Sequence, residues 1–312
     1  MSDDAPARDA VLLCFERDRG PAEALGARLD LSPKTIERHR FPDGELRLRL
    51  PPSLPPTVIV FATLDQPNEK LIELLLVARE SRALGARELV LVAPYLCYMR
   101  QDVAFSPGEA VSQRIVGAFL ADLFDGVLTV DPHLHRTATL ARAVPARRAL
   151  ALSAAPLIGA FVAAQRPGAL LIGPDAESAP WVEAAASRAG LDFAVGAKTR
   201  HGDRAVDVVL PEVPVAGRDV VLVDDMASTG RTLAQAARLL REAGAARVDA
   251  AVTHALFVGD AQEVMRAAGV AEIWSTDSIA HRTNRIALAP LLAGALRDDG
   301  AVRAGTQDRA PS

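Results

Sequence analysis

The sequence is poor in cysteine and aromatic residues, and it lacks long apolar runs. Its two cysteines, Cys14 and Cys97, lie far apart in apolar surroundings, without histidines at metal-ligand spacing. This pattern excludes a disulfide scaffold and a zinc finger, and it favours reduced core thiols. No stretch approaches the ~18 apolar residues of a membrane helix, and the polar N-terminus lacks the pattern of a signal peptide. We therefore expect a cytoplasmic protein without a membrane partner.

The charge pattern excludes a further class of protein. The formal net charge is −4, and arginine greatly outnumbers lysine, which occurs only at positions 34, 70 and 198. Proteins that bind nucleic acid through general basicity carry a positive balance, so we expect no nucleic-acid partner. A chain of 312 residues, of which 50% are hydrophobic, is long enough for about two domains with separate cores.

Short apolar runs alternate with segments of helical periodicity along the chain. Val58 to Ala62 and Leu89 to Ala93 predict buried strands, whereas Asn68 to Leu84 and Pro107 to Phe124 predict helices. This alternation is typical of mostly parallel sheets flanked by helices, so the expected fold class is α/β.

The strand-and-helix series restarts between Val144 and Ser153, which predicts two domains. We expect them at 1–148 and 149–296, followed by a flexible polar tail at 297–312. A weak similarity between VLTVDPH and VVLVDD, each a strand that ends in an acid, is compatible with duplication of one unit.

The stretch VVLVDDMASTGRT carries the most specific pattern. Val220 to Val223 predict a buried strand that ends in two acids, Asp224 and Asp225. The loop after them consists of small and hydroxyl-bearing residues, namely Ala227, Ser228, Thr229, Gly230 and Thr232, and an amphipathic helix follows. The first amides of such a helix have no intrahelical partner and bind anions, and Gly230 permits close approach of the backbone. We interpret the stretch as a phosphate cradle.

The two acids extend this interpretation. A carboxylate repels phosphate, but it accepts hydrogen bonds from sugar hydroxyls and binds magnesium. Asp224 and Asp225 therefore predict a phosphorylated sugar as the ligand. The alternative is an ordinary helix with Ser228 or Thr229 as its N-cap, which would leave the two acids without a role.

Polar residues also follow other predicted strands, and in parallel sheets the carboxyl ends of the strands form the ligand site. YMRQD presents Arg100 and Gln101, a phosphate clamp and a group able to read a base edge, with Asp102 beside them. The alternative for this segment is a solvated loop. FPDGE, residues 41–45, offers an aromatic ring and two acids on a tight turn, for which an ordinary hairpin turn is the alternative.

Two further strand ends carry candidate metal ligands. TVDPHLHR supplies Asp131, His133 and His135 directly after a buried strand, and GPDAES supplies Asp175. An acid and an imidazole near a polyphosphate can serve a divalent metal, although a capped or packed histidine is an equal alternative.

The segment AKTRHGDR is read as a polar loop. It places Lys198 and Arg200 two residues apart, on the same side if the loop is extended. A pair of cations suits a transfer whose transition state spreads negative charge over phosphoryl oxygens. An exposed charged loop without a catalytic role is the alternative.

Taken in order, these segments resemble one family, the ribose-phosphate diphosphokinases or phosphoribosyl pyrophosphate synthetases. The resemblance runs from about Phe41 to Asp277, and PYLCYMRQDVAFSPGEAVS and TVDPHLHR are most similar to its archaeal-type branch. The cradle resembles the ribose 5-phosphate loop of the phosphoribosyltransferase fold. The resemblance thus implies two phosphoribosyltransferase-like domains and a homo-oligomer in which an ATP site is shared between subunits.

The implied reaction is attack of the anomeric hydroxyl of ribose 5-phosphate on the β-phosphorus of ATP, with Mg2+ as cofactor. The resemblance assigns ATP binding to Phe41, Asp43, Glu45, Arg100, Gln101, Asp102 and His133. It assigns ribose 5-phosphate to Asp224, Asp225, Ser228, Thr229, Gly230 and Thr232. It assigns magnesium to His133 and Asp175, and catalysis to Lys198 and Arg200.

The sequence departs from the family pattern in three places. Glu177 and Ser178 stand where many members have two glycines, Pro42 stands where asparagine is frequent, and Arg231 stands where glycine is common. The first departure puts close backbone approach after Asp175 in doubt.

Two other functions remain open. A phosphoribosyltransferase that consumes phosphoribosyl pyrophosphate uses the same cradle, but Ser228 stands where purine-salvage members carry an acid. A non-catalytic regulatory homologue would share the fold, but the retention of Lys198, Arg200 and His133 argues against it.

Overall fold

A computed structural model describes residues 9–134, 136–201 and 205–301, and of residues 198–201 and 205–208 it describes the backbone alone. Its strands are β1 Ala10–Cys14, β2 Lys34–Thr35, β3 Glu37–Arg40, β4 Leu46–Arg49, β5 Thr57–Phe61, β6 Glu88–Ala93, β7 Gly126–Val130, β8 Arg148–Leu152, β9 Leu170–Gly173, β10 Phe193–Val195, β11 Ala197–His201, β12 Ala205–Val209, β13 Asp219–Ala227, β14 Arg247–Ala255, β15 Val270–Thr276 and β16 Asn284–Ile286. Its helices are α1 Arg19–Leu29, α2 Pro67–Ala83, α3 Ser112–Leu123, α4 Leu140–Ala143, α5 Ala155–Gln165, α6 Ala179–Ala189, α7 Arg231–Glu242, α8 Ala261–Ala267 and α9 Ala289–Asp298.

The first sheet has six strands in the order β2-β1-β5-β6-β7-β8, and every pairing in it is parallel. Its central strands are almost continuous runs of buried apolar residues, such as TVIVF in β5. Such runs are expected where helices cover both faces of a parallel sheet. The core contains Phe61 and Phe124, which are almost fully buried, together with Leu74 of α2.

The second sheet repeats this arrangement. Its six strands lie in the order β10-β9-β13-β14-β15-β16, again with parallel pairing throughout. Helix α7 packs its apolar face, which includes Leu233, Ala237 and Leu240, into the core on this sheet. The expectation of an α/β fold with two mostly parallel sheets flanked by helices is confirmed.

The two sheets share one topology. In each, the second strand of the series lies at the edge, the first lies next to it, and the remaining strands follow in chain order. In each, an antiparallel hairpin is inserted between the second and third strands, β3–β4 in one case and β11–β12 in the other. VLTVDPH lies on β7 and VVLVDD on β13, which hold different positions in the two series, so the shared topology and not this similarity relates the two units.

The chain divides into two compact units between Leu152 and Ser153, within the range 144–153 where the series restarts, but the C-terminal segment belongs to the first unit. The first unit runs to Leu152 and resumes at Ala289, and the second comprises Ser153–Leu288. Helix α9, which the sequence analysis placed in the second domain, packs against α1 in the first unit, and α5 packs against α6 in the second. Because helix docking is a tertiary contact, the local pattern does not reveal it.

The start of the flexible tail expected at 297–312 also differs from the prediction. Arg297 and Asp298 belong to α9, and Asp299 forms an ion pair with Arg148 at 2.8 Å. Residues 302–312 lie outside the described residues. Within the described part of the chain, no helix has the length and apolar content needed to cross a membrane.

Two element boundaries differ near the candidate sites. Helix α3 begins at Ser112 rather than Pro107, because Gly108 has a φ of +83° and the Glu109 side chain accepts hydrogen bonds from the Phe105 and Ser106 amides. Strand β13 continues to Ala227, so the two acids lie within the strand rather than after it.

Candidate active site

The cradle of the second unit joins the end of β13 to the start of α7. Helix α7 begins at Arg231, and its N-cap residue is Gly230, with a φ of +69°. The N-cap residue is a glycine and has no side chain to cap the helix, so neither Ser228 nor Thr229 serves as an ordinary N-cap. The N-cap residue therefore leaves the first amides of α7 uncapped, which is an arrangement that suits an anion.

Gly230 is required here for two physical reasons. Its positive φ is unfavourable for residues with a Cβ. A Cβ at this position would also lie 2.9 Å from the Ala261 carbonyl oxygen and 3.0 Å from Cγ of Met265. The cradle thus lies tightly against the start of α8.

Backbone hydrogen bonds hold the cradle from behind. The Phe257 amide donates to the Ala227 carbonyl and the Val258 amide donates to the Ser228 carbonyl, both at 2.9 Å. Phe257 has a φ of +36°, and its ring packs against His281 with centroids 4.9 Å apart. The sequence analysis missed this support, since no local pattern connects residues so far apart.

The two cradle acids are neighbours with different environments. Asp225 is buried and Asp224 is half-buried, and the Asp225 amide donates to Oδ1 of Asp224 at 3.0 Å. A half-buried carboxylate beside an anion site can accept hydrogen bonds from the hydroxyls of a sugar whose phosphate lies in the cradle.

Asp175 follows β9 at the same edge of the second sheet. It is buried, and its Oδ1 accepts hydrogen bonds from the amides of Glu177 and Ser178 at 2.9 and 3.2 Å. Ser178 completes this capping box, because its hydroxyl accepts from the Asp175 amide at 3.3 Å, and the same hydroxyl donates to the Asp175 carbonyl at 2.6 Å. The serine that stands where glycine is frequent therefore has a structural role, while Glu177 is exposed.

In the first unit, the loops after β6 and β7 carry the residues predicted to bind ATP. Arg100 is exposed, and Gln101 donates through Nε2 to Oε1 of Glu109 at 2.8 Å. The Asp102 side chain is only 4% exposed and forms an ion pair with Arg136 at 2.9 Å. This ion pair connects the loop after β6, which bears Asp102, to the loop after β7, which bears Arg136.

Gln113, at the start of α3, connects the same two loops. It is 2% exposed, donates through Nε2 to the Met99 carbonyl at 3.0 Å and accepts through Oε1 from the Thr137 hydroxyl at 2.7 Å. Its amide also donates to the Gln101 carbonyl at 3.1 Å. The sequence analysis missed the role of Gln113. The signal that could have revealed it is a polar residue on the buried face of a predicted helix.

The predicted metal ligands are placed at strand ends. Asp131 is 4% exposed with a φ of +38°, His133 is half-buried, and His135 lies outside the described residues. No group of three or more His, Cys, Asp or Glu side chains suited to a metal occurs in the described part of the chain. Magnesium commonly takes one or two protein ligands and completes its shell with phosphate oxygens and water, so the donor set fits this ion.

The FPDGE segment forms the tip of the β3–β4 hairpin. The Phe41 amide donates to the Glu45 carbonyl at 2.8 Å, and Gly44 has a φ of +96°. The Glu45 amide donates to Oδ1 of Asp43 at 3.1 Å, and the Phe41 ring packs edge-on against His39. The segment therefore forms an ordinary hairpin turn, and this conformation is compatible with ligand binding by the same residues.

Lys198 and Arg200 lie on a hairpin rather than in an irregular loop. They occupy alternate positions of β11 and pair with Val208 and Val206 of β12. Their side chains lie outside the described part of the structure, so their catalytic role stays a prediction.

A buried carboxylate lies in the first unit after β1. Asp18 is 3% exposed, and desolvation by burial raises its pKa to about 6 against the opposing charges of Arg17 and Lys70. Lys70 itself donates to the Thr63 carbonyl at 3.0 Å and to Oδ1 of Asp65 at 2.5 Å. A cation and two acids thus occupy the ends of β1 and β5.

The two cysteines are free and buried, as expected from the sequence. Burial raises the pKa of the Cys14 thiol to about 11 and that of the Cys97 thiol to about 12. Both are therefore thiols near neutral pH and neither is a candidate nucleophile.

Comparison with known proteins assigns a family to each part of the chain. A model of the N-terminal domain of ribose phosphate pyrophosphokinase matches residues 10–123, and a model of the phosphoribosyl transferase domain matches residues 159–279. Similar proteins include the ribose-phosphate pyrophosphokinase of Methanopyrus kandleri, 37% identical over 88% of this chain and 94% of that protein. Ribose-phosphate pyrophosphokinase 2 of Archaeoglobus fulgidus is 35% identical over 81% of this chain and 88% of its own.

A solved structure agrees with the fold. Phosphoribosylpyrophosphate synthetase from Mycobacterium smegmatis superimposes with a TM-score of 0.80 at 24% identity, covering 93% of this chain and 98% of its own. The curated relatives named above are archaeal, as the resemblance implied. By identity, coverage and both domain matches, the chain belongs to the ribose-phosphate pyrophosphokinase family.

Proposed function

We propose that this protein is a ribose-phosphate diphosphokinase that supplies phosphoribosyl pyrophosphate for nucleotide biosynthesis. The 1-hydroxyl oxygen of ribose 5-phosphate attacks the β-phosphorus of ATP, the bond from that phosphorus to the α,β-bridging oxygen breaks, and AMP leaves. The hydroxyl proton is released to solvent, and the electron pair of the broken P–O bond leaves with AMP. The observation that carries the proposal is the uncapped start of α7 beside the Asp224–Asp225 pair, within a chain of this family.

The second unit binds the acceptor. The 5-phosphate lies at Ser228 to Thr232, where the amides of α7 and the hydroxyls donate to it. Asp224 and Asp225 accept hydrogen bonds from the ribose hydroxyls. Such fixed contacts align the anomeric oxygen for attack, and alignment supplies much of the catalysis in phosphoryl transfer.

The first unit binds the donor. Arg100 contacts the phosphates and Gln101 the base, and the Asp102–Arg136 and Gln113 contacts hold their loop against the loop that bears His133. Phe41, Asp43 and Glu45 contribute from the hairpin turn. We infer a homo-oligomer in which this turn completes the ATP site of another subunit.

Charge stabilisation completes the assignment. Lys198 and Arg200 stabilise the diphosphoryl group as its charge spreads in the transition state. We assign Mg2+ to His133 in the first unit and to Asp175 in the second. When bound, Mg2+ neutralises the phosphate oxygens of ATP. The cytoplasm is the proposed location, where the two free cysteines stay reduced.

The nucleotide product tests the proposal. Purified protein incubated with ATP, Mg2+ and ribose 5-phosphate should release AMP in a one-to-one ratio with the sugar diphosphate, and omission of ribose 5-phosphate should stop AMP release. Release of ADP would identify a different kinase. A parallel reaction with phosphoribosyl pyrophosphate and a purine base tests the phosphoribosyltransferase alternative, for which pyrophosphate and a nucleotide would be the products.

A further inference from the structure

A fully buried carboxylate on α2 holds two arginines from different parts of the first unit. The side chain of Glu73 is 0% exposed. Its Oε1 accepts from Nη1 of Arg17 at 3.1 Å and from Nε of Arg38 at 2.6 Å. Arg17 lies in the short 3₁₀ helix after β1, whereas Arg38 lies in β3 of the hairpin. Glu73 therefore connects the hairpin to the body of the unit.

A second acid extends this contact along the hairpin. Glu69 precedes Glu73 by one helical turn, so both acids lie on one face of α2. Arg38 and Arg40 alternate in β3, so both lie on one face of the strand. Glu69 pairs with Arg38 and, at 3.3 Å, with Arg40. We call these four residues the hairpin clamp.

The hairpin has little other support. All four residues of β3 are exposed, and β3 and β4 form a two-stranded sheet of their own that does not join the six-stranded sheet. An isolated two-stranded hairpin is marginally stable in water. Half-buried Leu48 of β4 packs against the core, but the clamp provides the charged contacts on the β3 side. Arg40 directly precedes the turn at 41–45, so the clamp fixes the position from which that turn projects.

We propose that Glu73 is a positioning residue that, through Arg38, fixes the hairpin and its turn for nucleotide binding. The proposal rests on the proposed function, in which that turn contacts ATP. Removal of either arginine leaves the buried Glu73 carboxylate with only one of its two cations, so the clamp is sensitive to single substitutions. The chain offers a matched control, because Arg17 pairs with the same carboxylate but is not part of the hairpin.

The test compares Arg38→Met with Arg17→Met. Both substitutions remove one cation from Glu73, and both should lower the unfolding temperature. Only Arg38→Met should raise the KM for ATP, by about tenfold, and neither should change the KM for ribose 5-phosphate by more than about twofold. Equal effects of the two variants on the KM for ATP, or no effect of Arg38→Met, would overturn the proposal.

Two further variants grade the effect. Arg38→Lys keeps the charge but loses the planar fork that reaches Glu69 and Glu73 together, so it should restore the KM for ATP only in part. Glu69→Gln removes the outer half of the clamp and should raise that KM by about threefold. Full activity in Arg38→Lys together with a large loss in Arg17→Met would assign the effect to stability alone.

Hydrogen exchange separates this inference from the proposed function. In Arg38→Met the amides of 37–49 should exchange at least about tenfold faster than in Arg17→Met, whatever reaction the protein catalyses. If wild-type protein releases no AMP but this difference appears, the proposed function fails and the positioning of the hairpin stands. Equal exchange in the two variants would refute the positioning itself.

Discussion

The two units have the same topology, but the residues that follow the third strand of each sheet differ in the ligand that they suit. In the second unit, β13 leads through Gly230 into a helix whose first amides have no side-chain cap. In the first unit, β5 leads to Lys70 and Asp65, with buried Asp18 nearby. A phosphate is the proposed ligand of the former place, and the carboxylates of the latter would repel it. Shared topology therefore sets where a site can form, and the loops at the strand ends decide what it binds.

The units also differ in what holds their sites. Behind the cradle, the Phe257 and Val258 amides bind backbone carbonyls. In the first unit, side chains make the connections, through Gln113 between two loops and through Glu73 to the hairpin. We therefore expect the acceptor side to be sensitive to the backbone at glycine and the donor side to be sensitive to single polar side chains.

The largest expected effect concerns the two inserted hairpins. In the proposed function, β11–β12 carries the cations that stabilise the transition state, whereas β3–β4 only contributes to ATP binding. Lys198→Ala should therefore lower kcat by about 10²- to 10³-fold with little change in the KM for ribose 5-phosphate. Steady-state kinetics measures both values. Lys34→Ala, in the exposed edge strand β2, is the control and should leave kcat unchanged. An unchanged kcat in Lys198→Ala would remove this difference between the hairpins.

A smaller effect is expected from the backbone of the cradle. Gly230→Ala should raise the KM for ribose 5-phosphate by at least about tenfold, because the Cβ adds strain at positive φ and contacts the Ala261 carbonyl. The KM for ATP should change little. Gly190→Ala is the matched control, since Gly190 has a φ of +65° at the end of α6 and nothing lies within 4 Å of an added Cβ. It should lower stability without affecting either KM.

If both glycine variants alter the KM for ribose 5-phosphate equally, general strain rather than the shape of the cradle is responsible. The comparison between a backbone-held acceptor side and a side-chain-held donor side would then fail.

Substitution of Asp18 should affect activity least among these variants. It should nevertheless change the free energy of unfolding by a measurable amount. Its pKa is about 6 in the folded protein against 3.8 for the unfolded chain, so the folded state binds more protons between these values. The contribution of Asp18 to stability should therefore fall as pH rises from about 4 to 6 and stay lower above that range. Asp18→Asn should remove the fall and raise the free energy of unfolding at pH 7 by about 1–3 kcal/mol.

Urea unfolding at a series of pH values measures this change. Asp122→Asn, at an exposed position of α3, should alter stability by less than about 0.5 kcal/mol at any pH. A steeper pH dependence in Asp18→Asn than in the wild type would contradict the assignment of the fall to this carboxylate.

The sequence predicted the parts of the fold and the site that depend on local patterns. Apolar runs located β5 and β6, and VVLVDDMASTGRT located the turn from β13 into α7, because strand burial and the start of a helix both depend on adjacent residues. Phosphate binding at that turn stays a prediction. The capping residue was less predictable. Hydroxyl residues are common N-caps, and the positive φ together with the tight contact with α8 explains why Gly230 holds that position.

The remaining features depend on residues distant in sequence. Three of these contacts join segments far apart along the chain. Helix α9 packs on α1, Gln113 connects two loops, and Glu73 forms an ion pair with Arg38. Periodicity reports only whether a side chain is buried. It does not report which partner the side chain meets.

The central claim is that the β- and γ-phosphoryl groups of ATP move together to the sugar, and ATP labelled with ³²P at the β-position tests it most directly. With Mg2+ and ribose 5-phosphate, the label should leave the nucleotide pool and appear in the sugar diphosphate, while the AMP formed carries none. Label that stays in ADP would contradict the account, since it would mean that only the γ-phosphoryl group had moved.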